Sequence, residues 1–130
     1  MEINTDYIKS FLIKELQAEL IYLFGSYAKK TSREDSDLDL AFLSKGNIDD
    51  YQRFLSAQKM ASELNIDVDL VDLSKVSTVF KAQVITGKLI YAKNERIKQD
   101  FELLTLKKYA RLNEERREII KKIERGVDGG

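Results

Sequence analysis

Gly25-Ser26 and, after a spacer of ten residues, Asp37-Leu38-Asp39 are the residues of this chain whose types and spacing can do chemistry. If Asp37 and Asp39 open a strand they share one face, because successive side chains on a strand alternate. Two carboxylates side by side repel, and burying them unpaired is costly. A divalent cation relieves that cost, and Mg2+ favours a site of one or two carboxylates completed by water and substrate phosphates. The glycine-serine turn offers backbone N–H groups and a hydroxyl to a phosphate chain. Metal and phosphate binders thus meet on one short unit. Taken singly, each residue has a plainer role: Gly25 ends a strand, Ser26 caps a helix, and Lys29 and Lys30 belong to a solvated face.

A third carboxylate is available in Ile66-Asp67-Val68-Asp69-Leu70-Val71-Asp72-Leu73. In a strand Asp67 and Asp69 share one face and Asp72 takes the other. If this strand neighbours the one that begins at Asp37, either Asp67 or Asp69 completes a cluster of three. Asp69 is preferred, because Asp67 sits at the strand entry, where a solvated carboxylate needs no special reason. An exposed charge on an edge strand is the plain alternative for both.

The elements that must hold these residues follow from periodicity. Ile3, Tyr7, Ile8, Phe11, Leu12 and Leu16 recur at helical spacing over about residues 3–18. Leu20–Phe24 reads as a buried strand ending at the glycine, Tyr27–Lys30 as a short helical turn, and Thr31–Asp35 as polar loop. The second strand is Asp37–Leu43. Asp49 or Asp50 caps a helix to about Leu64, with Phe54, Leu55, Ala57, Met60, Ala61 and Leu64 expected inward. Ile66–Leu73 is the third strand. Ser74 or Ser77 caps a helix through Ile85, closed by Gly87. Lys88–Lys93 is a short strand, and one long helix runs from about Asn94 to Arg125. The Gly129-Gly130 end is expected to fray.

Composition narrows the chemistry. At 130 residues the chain is one domain, short for an enzyme that also carries its own acceptor-binding domain. Lysine plus arginine equals aspartate plus glutamate at 22 each, so the basic excess that accompanies a grip on nucleic acid is missing. With no cysteine and no histidine, catalysis must rest on carboxylates, hydroxyls and metal. No apolar run approaches membrane-spanning length and the N-terminus lacks a signal-peptide core, so a cytoplasmic location is the expectation.

The combined pattern resembles the nucleotidyltransferase superfamily of the DNA polymerase β fold: a hydrophobic strand, Gly-Ser, a spacer, Asp-x-Asp on the next strand, and a later Asp. Here these are Leu23-Phe24-Gly25-Ser26, Asp37-Leu38-Asp39 and Asp69. The small size is similar to the minimal nucleotidyltransferases. Tyr22–Tyr27, Ser36–Ala41, Val68–Leu73 and Ser77-Thr78-Val79 look like the MntA-type antitoxins among them, over about residues 1–110. The resemblance implies an α+β fold, a small mixed sheet packed against helices. It also implies a catalytic core over 1–93 and a C-terminal helix over 94–130 that packs on the core or on a partner.

It further implies that Asp37 and Asp39 hold two Mg2+ ions that clamp ATP, and that Asp69 ligates the catalytic metal and assists deprotonation of the acceptor. Gly25 then lets the backbone approach the phosphates, Ser26 hydrogen-bonds the β- or γ-phosphate, and Lys29 neutralises it. Many relatives carry a glycine at the position of Lys30. The implied partner is a HEPN-domain toxin ribonuclease, held in a hetero-oligomer and neutralised by transfer of AMP to a tyrosine. Direct nucleic-acid binding and a membrane are not implied. Two other readings stay open: nucleotidyl transfer to a small-molecule hydroxyl, and a non-catalytic antitoxin that acts by binding.

The final helix bears on the partner. Ile97, Phe101, Leu104, Leu112, Ile119 and Ile123 form one stripe at helical spacing, and Leu103 and Leu106 fall on roughly the opposite side. A helix apolar on two sides is usually covered on two sides, within the domain or by another molecule.

Overall fold

The computed structural model describes residues 3–29 and 36–128, with side chains to residue 125. The expected loop at Thr31–Asp35, the turn at Lys30 and the glycine end lie outside the described residues. The elements run α1 (Thr5–Leu16), β1 (Ala18–Phe24), α2 (Gly25–Ala28), β2 (Leu38–Ser44), α3 (Asp50–Leu64), β3 (Val68–Asp72), α4 (Thr78–Val84), β4 (Lys88–Ala92) and α5 (Glu95–Asp128). Four strands form one sheet in the order β3-β2-β1-β4. β1 is antiparallel to both β2 and β4, and β2 is parallel to β3. One consequence governs the function. The end of β1 and the beginnings of β2, β3 and β4 all lie along the same edge of the sheet.

β1 is apolar at nearly every position because it is a central strand covered on both faces. Ile21 and Leu23 join Leu38, Leu40, Phe42 and Leu70 on the face covered by α1 and α3, where Ile8, Leu12, Leu16, Ala57 and Met60 are buried. Leu20 and Tyr22 join Ala41, Leu73 and Val84 on the opposite face, which α4 and α5 cover. The helix starts are set by side chains: Asp49 accepts from the Gln52 N–H and Ser77 from the Phe80 N–H. Asn94 does the same for Ile97 at the start of α5.

Three details depart from the periodicity reading. Phe54 and Leu55 are not inward; they are 55% and 43% exposed, and Ser56 is buried instead beside Ala57 and Met60. α3 touches the sheet through a narrower stripe than its apolar content suggests. Gly87 does not close α4 in a left-handed conformation, since Gly25 is the one glycine with positive φ among the described residues. A Cβ on Gly87 would instead run into the Leu23 carbonyl oxygen, so the glycine lets the α4–β4 turn lie against β1. The long stripe of α5 also divides. Ile97 and Phe101 pack against the second core and Thr105 is buried. Leu104, Leu112, Ile119 and Ile123 stay exposed, as do Leu103 and Leu106 on the other side. Tyr22 fixes the packed part of α5, its hydroxyl donating to the Glu102 carboxylate at 2.6 Å.

Candidate active site

The sheet edge gathers the chemistry. β2 and β3 run parallel in a register that sets Asp39 opposite Asp69. Along β2, Leu38, Leu40 and Phe42 enter the first core, so Asp39 must point to the other face. Along β3, Leu70 enters that same core, and Asp69 is turned the same way as Asp39. The two carboxylates are therefore cross-strand neighbours. Asp37, just before β2, adds a third negative charge near Asp39. Burial pushes the Asp39 carboxyl above the usual carboxylate range, and the charges of Asp69 and then Asp37 push it further.

Asp67 is placed differently. It precedes β3, its side chain is exposed, and its carbonyl accepts the Leu38 N–H at 2.8 Å. Its carboxylate lies with Ser36, Gln58, Ser62 and Asn65 at a separate open depression. Of the two candidates for third carboxylate, Asp69 is the one brought to Asp39.

Gly25 stands at the end of β1, directly beyond Phe24, the register partner of Asp39. Its φ of +70° lies in the left-handed region that favours glycine. The space a Cβ would fill there is already taken by the Asp39 carboxylate. No other residue type can stand at 25 without moving that carboxylate. α2 begins at Gly25 itself, two residues earlier than the expected turn at Tyr27–Lys30, and Tyr27 anchors it by packing into the first core. Ser26 follows on the same turn, and Lys29 ends it with an exposed side chain.

Two contributions carry no motif signal. The Arg53 guanidinium of α3 donates to the Leu70 carbonyl at 3.0 Å, tying the outer side of the edge strand β3 immediately after Asp69. A cleft of about 620 Å3 also opens beside Gly25, between α2 and the α4–β4 turn, with Lys29, Gln83, Thr86 and Lys88 on its walls. Only the topology places residues 83–88 next to residues 24–29.

The residues fit a divalent cation. Asp39 is a desolvated carboxylate facing two more, over a glycine cradle that a side chain would fill. Among the described residues no three acidic side chains converge on one coordination point. A shell completed by substrate phosphate and water is what Mg2+ commonly takes. Among the described residues, too, no helix is long and apolar enough to cross a membrane.

Comparison with known proteins identifies the family and the fold. Residues 6–96 match the family described as polymerase beta, nucleotidyltransferase. Over 103 residues the chain is 44% identical to the protein adenylyltransferase MntA of Shewanella oneidensis, covering 78% of this chain and 73% of that protein. Its structure is similar to that of a toxin–antitoxin solved with AMP-PNP, at 38% identity and a TM-score of 0.84, covering 93% of this chain and 98% of that one. A second solved structure holds the tri-AMPylated Shewanella oneidensis HEPN toxin in complex with its MNT antitoxin. It matches at 37% identity and a TM-score of 0.76, covering 92% of this chain and 95% of that one.

Proposed function

The chain belongs to the polymerase β nucleotidyltransferase family, in its MntA-type branch, and from that premise we propose that it is an antitoxin that transfers AMP from ATP to a tyrosine of a HEPN-domain toxin ribonuclease. The observation that carries this reading is the Asp39–Asp69 pairing above Gly25. It would supply a cation site and a phosphate approach on one sheet edge.

Asp37 and Asp39 would hold two Mg2+ ions, with Asp69 a ligand of one of them. The bound metal supplies charge neutralisation for the triphosphate and for the oxygens of an in-line displacement. The chain's own residues do the rest. Gly25 allows the backbone to approach the phosphates, Ser26 hydrogen-bonds the β- or γ-phosphate, and Lys29 offsets its charge. Asp69 accepts the proton of the acceptor hydroxyl as its oxygen attacks the α-phosphorus. The bond to the bridging oxygen breaks, and pyrophosphate leaves with the electron pair. An AMP ester of the acceptor remains.

The partner is expected to form a hetero-oligomer with this chain and to present its own acceptor hydroxyl. The cytoplasm, where ATP and Mg2+ are abundant, suits the reaction. The deciding experiment incubates the purified chain with α-labelled ATP, Mg2+ and a HEPN-domain partner. Label should appear on the partner, at tyrosine, and disappear with Asp69→Asn. Neutralisation of the partner without label would favour an antitoxin that acts by binding. Label found only on an added small-molecule alcohol would overturn the choice of a protein acceptor.

A further inference from the structure

The charge along the active edge changes sign across the sheet. In the strand order β3-β2-β1-β4 the edge carries Asp69, then Asp39, then the Gly25 turn, then Lys88 as the first residue of β4. Neighbouring strands lie about 4.8 Å apart, so β4 begins about 10 Å from the Asp39 strand. The Lys88 side chain leaves the sheet on the face opposite Asp39 and Asp69, so the two groups communicate only around the sheet edge, past Gly25. Lys88 is the register partner of Leu23 and shares its face of the sheet. α2 packs on that same face through Tyr27 and Ala28. Lys88 and Lys29 consequently line one cleft, with Gly25 between them and the carboxylates. Neither lysine makes an ion pair with a carboxylate among the described residues, whereas Lys75 and Lys93 both do.

A triphosphate whose reacting phosphorus lies at the carboxylates and whose chain rounds the sheet edge at Gly25 would bring its far end into this cleft. We propose that Lys88 binds the β- and γ-phosphates of the nucleotide donor, on the wall opposite Lys29, and holds the pyrophosphate as it forms. The inference rests on the nucleotidyl-transfer reading and extends the phosphate site from β1 to β4. Gly87 serves the same arrangement. By letting its turn lie on the Leu23 carbonyl, it sets Lys88 at the depth of the glycine turn.

Titration calorimetry of the purified chain with AMP-PNP and Mg2+ tests this. Lys88→Ala should weaken binding by about tenfold or more, as for loss of a hydrogen bond to a charged group, while Lys88→Arg should restore most of it. The exposed side chain predicts an unchanged melting temperature for both variants. Unaltered affinity in Lys88→Ala would overturn the proposal and leave the family reading intact. Equal loss in the alanine and arginine variants together with a lowered melting temperature would also overturn it, assigning Lys88 to the fold. Failure of the unmodified chain to bind AMP-PNP would instead remove the nucleotidyl-transfer reading, and this inference with it.

Discussion

Asp39 and Asp69 stand opposite each other across the parallel β2–β3 pair, and the carboxylate of Asp39 fills the space a side chain on residue 25 would need. Three parts of the sequence, at the end of β1, on β2 and on β3, are thereby made one site. The pairing is unfavourable without a cation, and that cost is measurable.

In metal-free buffer Asp39→Asn should equal or exceed the unmodified chain in stability, because it removes one charge from a repelling group. The pH dependence has a definite sign. The Asp39 pKa is raised in the folded state, so the folded chain binds more protons than the unfolded one. Stability from this group is fully present below the ordinary carboxylate pKa and is lost as pH rises through the raised folded value. Denaturant melts across that window should converge for the two proteins in acid and separate above it. Mg2+ should stabilise the unmodified chain and not the variant. Both Asp37→Asn and Asp39→Asn should abolish AMP transfer; full transfer by either would remove it from the metal site.

Asp69→Asn should lose nearly all transfer while Asp67→Asn keeps most of it. Asp69 faces Asp39, whereas Asp67 faces an open depression on the far side of the strand entry. A base or ligand acting on the reacting oxygen should show its loss in turnover more than in ATP affinity. Single-turnover rates at saturating ATP measure the difference, and the reverse ranking would reassign the third carboxylate.

Gly25→Ala combines two costs, a left-handed backbone and a collision with Asp39. The backbone alone accounts for about 1–2 kcal/mol. Chemical denaturation should show at least that loss. Transfer should fall further than stability does, because the displaced group is a carboxylate of the site.

Tyr22→Phe leaves Glu102 without its hydroxyl donor beneath Phe101. The expected cost is about 1–3 kcal/mol. Hydrogen exchange should localise it to α5 and β1, with ATP affinity unchanged.

Leu103→Asp combined with Leu106→Asp should leave the fold intact, since both side chains are more than half exposed. If the partner docks on this side of α5, co-purification should fail, as a charge in an interface core costs about 2–5 kcal/mol. Ile97→Asp is the contrasting variant: it strikes the second core and should unfold the domain. A normal yield of complex from the double variant would direct attention to the exposed Leu112, Ile119 and Ile123 instead.

The sequence by itself determined the elements and the chemical types. Glycine, serine and carboxylates at those spacings, between runs that are apolar throughout, specify a strand-ending glycine turn and an acidic strand entry, because side-chain alternation is local physics. A cap at Asp49 or Asp50 and another at Ser74 or Ser77 were legible for the same reason, and the structure takes Asp49 and Ser77. Tertiary structure alone decided what lies beside what. Asp69 was separated from Asp67 by the register of β3 on β2, which a strand's own pattern does not contain. Phe54, Leu55 and Leu104 fit a helical stripe and still face solvent, because the width of the stripe a helix buries is set by the surface it meets. Lys88 carries no motif. It lines the cleft beside Gly25 because β4 returns antiparallel to β1 and begins where β1 ends, and a non-local strand pairing of that kind leaves no trace in the residues around it.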